Sequence, residues 1–424
     1  MRTMTIAVLM LLLASNALAA DLPVVDPEEV GFSSERLEYI NRFTRRFIEE
    51  GKQSGFVTIV ARHGKIVHFE ATGNYGIDNN KPLDKDALFR IYSMTKPVTS
   101  VAAMILYEEG AFQLNDPLSR YLPEFAGQKV WVDGELVEPN SPVTVEQLMT
   151  QTAGFTNGYS GDHPVEALYR EAKLGESVDN VDFVERIAAL PLRFQPGSRY
   201  HYGPATDVLG ALIERISGQS LEAFFSQRIF LPLGMHDTFY NVPEDKLDRL
   251  ATIHVWDHEN GELALPPDGM MQPPAGVTRF TGGHGLISTA MDYMIFCEML
   301  RNGGSYNGAR ILGPKTVQFM MSPQISQRVR DHGASEFPAF HLYGGQTAAF
   351  GGAVVTAPGE NEVVSSMGAY NWGGIANTKF WIDPQEDLVA ILMTQLMLAP
   401  WSDATRFNMK VAVYQALTEL GSNN

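Results

Sequence analysis

The chain has 424 residues, 45% of them hydrophobic, with 49 acidic against 32 basic side chains and a formal net charge of −17. That length can bury a large core, as one big domain or two ordinary ones. The acidic balance, with no cluster of Lys or Arg to offset it, argues against nucleic acid and anionic membranes as partners. A single cysteine rules out an internal disulfide. That residue, Cys297, ends the apolar run Tyr293-Met294-Ile295-Phe296, which suits a small buried hydrophobe better than a nucleophile.

In chain order, residues 1–20 read as an export leader. Arg2 supplies a positive start, Ile6 to Leu13 are apolar, and Ala17-Leu18-Ala19 offers an A-x-A cleavage site. The mature chain is expected to begin near Ala20 or Asp21 and to reside in the periplasm or outside the cell. An apolar run of about a dozen residues is short of the ~20 needed to span a bilayer, and no other uninterrupted span follows.

A helix is predicted from Ser34 to Glu50, then strands at Phe56–Ala61 and Ile66–Glu70 around the turn His63-Gly64-Lys65. The middle of the chain is helical, with long loops bearing proline and glycine. Thr144 to Gln147 fits a capping box before Leu148-Met149. Asp207 to Ser217 carries Leu209, Leu212, Ile213 and Ile216 at helical spacing and stops at Gly218. Thr289 to Asp292 is a second capping box, opening a helix that ends at Asn302-Gly303-Gly304. A second strand pair, Thr378–Ile382 and Leu388–Leu392, turns at Asp383-Pro384, and a helix-like tail runs on to Leu420. The fold class this implies is α+β. An antiparallel sheet flanked by helices is drawn from residues 21–110 and 283–424, and a mainly helical domain at 111–282 is inserted between them. A site is expected at the junction.

The chemistry concentrates at Ser93-Met94-Thr95-Lys96-Pro97, ahead of the amphipathic run Val98–Glu109. Proline is tolerated only in a helix's first turn, so Pro97 puts the helix start close to Ser93. The Ser93 hydroxyl then sits at the positive helix end, with Lys96 three residues on and on the same face. The dipole end and burial both disfavour a charged lysine there, and so favour the neutral amine that can take a proton from a serine. The two-residue pattern S-x-x-K occurs by chance about once or twice in a chain this long, and its weight comes from its place at a helix start.

Ser93-Met94-Thr95-Lys96 resembles the nucleophile motif of class C β-lactamases, D,D-peptidases and family VIII carboxylesterases. Further segments agree in order. Leu148-Met149-Thr150-Gln151-Thr152-Ala153-Gly154-Phe155 resembles the family's LLTHTSGL, with departures at Gln151, Ala153 and Phe155. Pro196-Gly197 through Tyr202 resembles PG-x-x-W-x-Y, Leu231 to Met235 resembles PLGM, and Gly282 to Asp292 is similar to GGGGLxSTAxD. The likeness runs from about residue 25 to 415. It implies a β-lactamase/transpeptidase-like fold, closest to the family VIII carboxylesterases, and an acyl-enzyme mechanism without cofactor or metal.

On that resemblance Tyr202 is the third catalytic group, which relays the leaving-group proton and activates water. The literal Y-x-N at Tyr39-Ile40-Asn41 precedes Ser93 and is set aside. The family's asparagine position is Pro204, and its Lys-Thr-Gly is replaced by Trp372-Gly373-Gly374, as in family VIII esterases. The two glycines let a strand backbone approach the substrate, and the amides of Ser93 and Ile375 would form an oxyanion hole. Loss of the asparagine amide and of the lysine points away from lactam turnover. The expected function is cleavage of a small-molecule carboxylic ester. The alternatives are β-lactamase, D,D-peptidase or amidase, acyltransferase, and an inactive binding protein for acylated or cell-wall ligands.

Competing motifs are weak. G-x-S-x-G, H-E-x-x-H and the P-loop are absent. His254 and His258 stand four apart in a region that reads as irregular, and the metalloprotease glutamate is missing. Asp207 reads as a first-turn acid favoured by the helix dipole.

Overall fold

The computed structural model describes residues 22–267, 271, 273–326, 329 and 342–421, so the expected leader lies outside the described residues. Helix α1 (Ser34–Glu49) starts at Ser33, whose hydroxyl accepts the Arg36 amide at 3.3 Å. Strands β1 (Gly55–Arg62) and β2 (Lys65–Gly76) follow, joined by His63 and Gly64 at φ of 54° and 70°. Two positive φ values make a type I′ turn, whose twist matches that of the strands it joins. β3 (Asn79–Pro82) pairs at the edge. The far end of the chain supplies β4 (Gln346–Ala349), β5 (Gly352–Val355), β6 (Tyr370–Gly373), β7 (Lys379–Asp383) and β8 (Leu388–Met393).

These form one sheet of 8 strands in the order β4-β5-β6-β7-β8-β1-β2-β3, antiparallel at every pairing. β1 and β8 pair from Val57↔Met393 to Arg62↔Leu388, so the two halves of the sheet meet at its centre. Between β3 and β4 the chain is largely helical. The helices used below are α2 (Thr95–Glu108), α3 (Val145–Met149), α4 (Pro164–Glu171), α5 (Asn180–Ala188), α6 (Ala205–Ser217) and α7 (Ala290–Arg301). Helix α8 (Ser402–Tyr414) follows the last long strand.

Side-chain alternation divides the sheet into two apolar layers. Phe56, Val60, Trp381 and Leu392 join Phe43 and Phe47 of α1 and Met409 and Val413 of α8. Val57, Ile59, Phe380 and Ile391 face the other way, into the main core with Tyr293 and Phe296 of α7. Because both faces are covered, β1 is buried along its whole length and reads as a continuous apolar run. Among the described residues no helix is long and apolar enough to cross a membrane.

Four expectations change. The strand expected to stop at Glu70 continues to Gly76, because β1 pairs with it as far as Gly73 and β3 takes over at Asn74 and Gly76. The tail helix stops at Tyr414, not Leu420. Beyond it the chain turns back to pair with residues 31–33, through Ser33 N–H to Ala416 O at 2.8 Å and Thr418 N–H to Gly31 O at 2.9 Å. The capping box at Thr144 makes both its bonds, at 3.4 and 3.0 Å, but the one at Thr289 makes only one, at 3.1 Å. There Asp292 instead accepts the Asp237 amide and the Thr238 hydroxyl, both at 2.8 Å. The fourth is the stretch that reads as irregular around His254: His254–Asp257 is a strand, paired with Leu396–Met397 and Glu262–Ala264.

Candidate active site

A short strand, Phe89–Arg90, pairs with Ile287–Ser288 and delivers the chain to a tight turn at Tyr92, whose φ is 44°. Ser93 sits in the 3-10 turn Tyr92–Met94 that runs directly into α2, and Pro97 falls in the first turn of that helix as expected. Lys96 Nζ reaches Ser93 Oγ at 3.2 Å and the Gly283 carbonyl at 2.6 Å. The Tyr202 hydroxyl lies 2.8 Å from the same Ser93 Oγ. Lys96 and Tyr202 are each 6% exposed, and Nζ stands 4.7 Å from the centre of the Tyr202 ring. The half-exposed serine oxygen therefore faces two buried side chains, a lysine and a phenol.

Gly283 is required beside Lys96. A Cβ there would lie 2.7 Å from Asp207 Oδ2 and 3.3 Å from Lys96 Nζ. Asp207 does more than favour the α6 dipole: it is buried, accepts the Gly283 amide at 3.2 Å and faces Arg279 at 3.9 Å. The Gly283 carbonyl that holds Lys96 is thus held in turn.

The opposite wall is the end of β6. Trp372 packs on Tyr202 with ring centres 5.8 Å apart, and the chain continues through Gly373 and Gly374 to Ile375. A Cβ on Gly374 would meet the Ile91 carbonyl at 2.5 Å and Thr378 Oγ1 at 2.4 Å. Only glycine lets this strand end lie against the backbone that leads to Ser93. Ser93, Tyr202, Trp372, Gly373, Gly374 and Ile375 line one cleft of about 340 Å³, with Lys96 behind the serine. All seven residues singled out from the sequence come together.

Two basic side chains line that cleft besides the residues singled out from the sequence. Arg406 on α8 donates to the Gly374 carbonyl at 2.7 Å, and Lys379 on β7 donates to Asn371 Oδ1 at 2.7 Å. Burial first, then Arg406 and Lys410 nearby, hold the Lys379 ammonium well below its ordinary pKa. The loss of the family's lysine therefore does not strip the cleft of basic side chains, although Arg406 lies 3.8 Å from Asp403 in the same cleft. A signal existed for Lys379, which shares a strand face with buried Trp381 in an otherwise apolar segment. No pattern in the tail helix marked Arg406.

The competing residues are structural. His254 is fully buried, its Nε2 accepts the Ile77 amide at 3.1 Å, and burial lowers its pKa. His258 is exposed, and Trp256 packs on Trp401 with centres 4.4 Å apart. Among the described residues no three His, Cys, Asp or Glu side chains gather to hold a metal ion. Tyr39 and Asn41 lie on α1, on the α8 side of the sheet. Cys297 is a free thiol in the main core, pushed up in pKa by burial.

The beta-lactamase family model matches residues 40–412. The chain belongs to the beta-lactamase family. Protein Rv1367c of Mycobacterium tuberculosis is 33% identical to this family member over 360 residues, covering 83% of this chain and 88% of the relative. Esterase EstB of Burkholderia gladioli is 28% identical, over 87% of this chain and 92% of its own. Among solved structures, EstCE1, described as a hydrolase with promiscuous acyltransferase activity, superposes with a TM-score of 0.77. It is 26% identical and covers 90% of this chain and 99% of its own. These relatives support ester hydrolysis or acyl transfer as the chemistry of this branch of the family.

Proposed function

We propose that this chain is a serine hydrolase that cleaves small carboxylic esters through an acyl-enzyme on Ser93. The observation that carries this is Ser93 Oγ lying 3.2 Å from Lys96 Nζ and 2.8 Å from the Tyr202 hydroxyl, on the wall of an open cleft. Lys96, acting with Tyr202, takes the Ser93 proton as Oγ attacks the ester carbonyl. The carbonyl oxygen becomes an oxyanion and rests on the Ser93 and Ile375 amides. Tyr202 returns the proton to the leaving alcohol, then takes one from the water that releases the acid. Every step uses this chain's own residues and water. An added alcohol would compete with that water and take the acyl group, and the EstCE1 structure is described as having promiscuous acyltransferase activity.

Ester over lactam is supported by the esterase name of EstB and by Pro204, which caps α6 without a side-chain amide. One missing hydrogen bond to a substrate costs about 1–1.5 kcal/mol, roughly tenfold in rate. Nitrophenyl butyrate should therefore exceed nitrocefin in kcat/KM by at least about tenfold. Nitrocefin turned over equally well would replace the ester reading by a β-lactamase one. We also propose, from residues 1–20, that the enzyme is exported. A processed N-terminus near Ala20 in the periplasm or medium is the expected result, and an unprocessed cytosolic protein would contradict it.

A further inference from the structure

Tyr202 stands in residues 196–204, a stretch of turns and bends with no helix or strand to hold it. Its hydroxyl is nevertheless at 2.8 Å from Ser93 Oγ. The grip comes from Gln151, just past the end of α3 and 7% exposed. Gln151 has φ +58°, a left-handed conformation that side-chain-bearing residues disfavour and that points to a local demand for it. In that conformation its own carbonyl accepts the His201 amide at 2.8 Å, while its side-chain Oε1 accepts the Gly203 amide at 3.1 Å. Its Nε2 donates to Thr206 Oγ1 at 2.7 Å, in the first turn of α6.

One residue therefore holds the backbone on both sides of Tyr202 and ties it to the next helix. A second tie comes from Thr156, whose hydroxyl lies 3.0 Å from His201 Nε2 and 2.5 Å from buried Glu166 Oε1. Resting on the Ser93, Lys96 and Tyr202 reading above, we propose that Gln151 is the positioning residue of Tyr202: it sets the distance over which the phenol serves Ser93. A primary amide suits this because it offers an acceptor and a donor at once and keeps both at every working pH. This is also a position where the chain departs from the LLTHTSGL pattern.

The test is a double-mutant cycle on purified protein with nitrophenyl butyrate. Q151M keeps the length of the side chain and deletes both its hydrogen bonds. Q151G deletes the side chain and removes the left-handed strain, so it remains a folded comparison if Q151M is unstable. Both should lose about 10- to 100-fold in kcat with KM within about threefold, because a catalytic group misplaced by about 1 Å costs on that order. The loss should vanish in the Y202F background, where Y202F/Q151M is no slower than Y202F alone. Wild-type kcat in both Gln151 variants alongside an impaired Y202F would overturn the inference and leave the mechanism standing, as would an equal loss from Q151M with and without Tyr202. Wild-type turnover in Y202F would overturn the inference and the role of Tyr202 together.

Discussion

At the scale of single residues, each expected effect follows from one or two contacts. Ser93→Ala removes the atom that Lys96 and Tyr202 both address, so hydrolysis should fall to background. The loss of a half-exposed hydroxyl costs only about 1 kcal/mol of stability, so the melting temperature should move little. Retention of more than a few per cent of activity by the folded variant would remove Ser93 from the role. Gly374→Ala makes the opposite kind of test, because it leaves every reactive side chain in place. The new methyl would press on the Ile91 carbonyl and Thr378, both under 3 Å away, and the backbone ahead of Ser93 would have to shift. A loss on the order of 100-fold in kcat/KM is expected, with about 1–3 kcal/mol of stability. Full activity in Gly374→Ala would show that the Trp372-Gly373-Gly374 wall does not register the nucleophile.

At the scale of elements, buried polar groups set the response to pH. His68 on β2 is 8% exposed, bonded through Nε2 to Thr58 Oγ1 at 2.8 Å, and burial pushes its pKa down to about 4. Its folded value lies below the ordinary 6.5, so the unfolded chain binds the extra proton. This contribution to stability is complete above about pH 6.5 and is lost as pH falls towards 4, by about 3 kcal/mol. Asp292, raised to about 6 by burial, acts in the opposite sense, since its protonation below that pH favours the fold. Comparing the wild type with His68→Gln isolates the first effect. The variant's free energy of urea unfolding should lose its steep fall between pH 6.5 and 4, and an unchanged slope would contradict the assignment. Helix α4 offers a test of the loop near Tyr202. Its fully buried Glu166 pairs with Arg193, Thr156 and the Ser160 amide, so Glu166→Ala should destabilise by about 3–5 kcal/mol in chemical denaturation. A loss below about 1 kcal/mol would mean that the pair is not what holds that loop.

The same elements explain how much was legible beforehand. The two central hairpins could be read because apolar runs and Gly or Pro turns are local signals, and α2 because Pro97 marks a helix start. β4 and β5 could not, since each is four residues long and Ala348, Ala349, Gly352 and Ala353 dilute the strand preference of Thr347, Val354 and Val355. Ser93, Lys96, Tyr202 and the Trp372 segment were visible through motif order. Arg406 and Gln151 were not, because what they do depends on partners brought near only by the fold: the Gly374 carbonyl and the amides flanking Tyr202.

For the whole molecule, pairing β1 with β8 joins the two end segments of the chain into one sheet, and Tyr202 from the middle of the chain packs on Trp372 of β6 beside the cleft. Each wall of the cleft belongs to a different stretch of sequence: Ser93 from the start of α2, Tyr202 from the loop before α6, Ile375 from beyond β6, and Arg406 from α8. Such a site works only when the sheet and the helical middle are both in place, so partial unfolding should abolish hydrolysis before the bulk helix signal is lost. The most direct test of the central claim is covalent capture of the nucleophile. Intact-mass and peptide mapping after a fluorophosphonate probe should find one adduct on Ser93, formed in step with loss of nitrophenyl butyrate hydrolysis and absent from Ser93→Ala. A folded wild-type chain that stays unlabelled, or one inactivated by an adduct at another residue, would contradict the account.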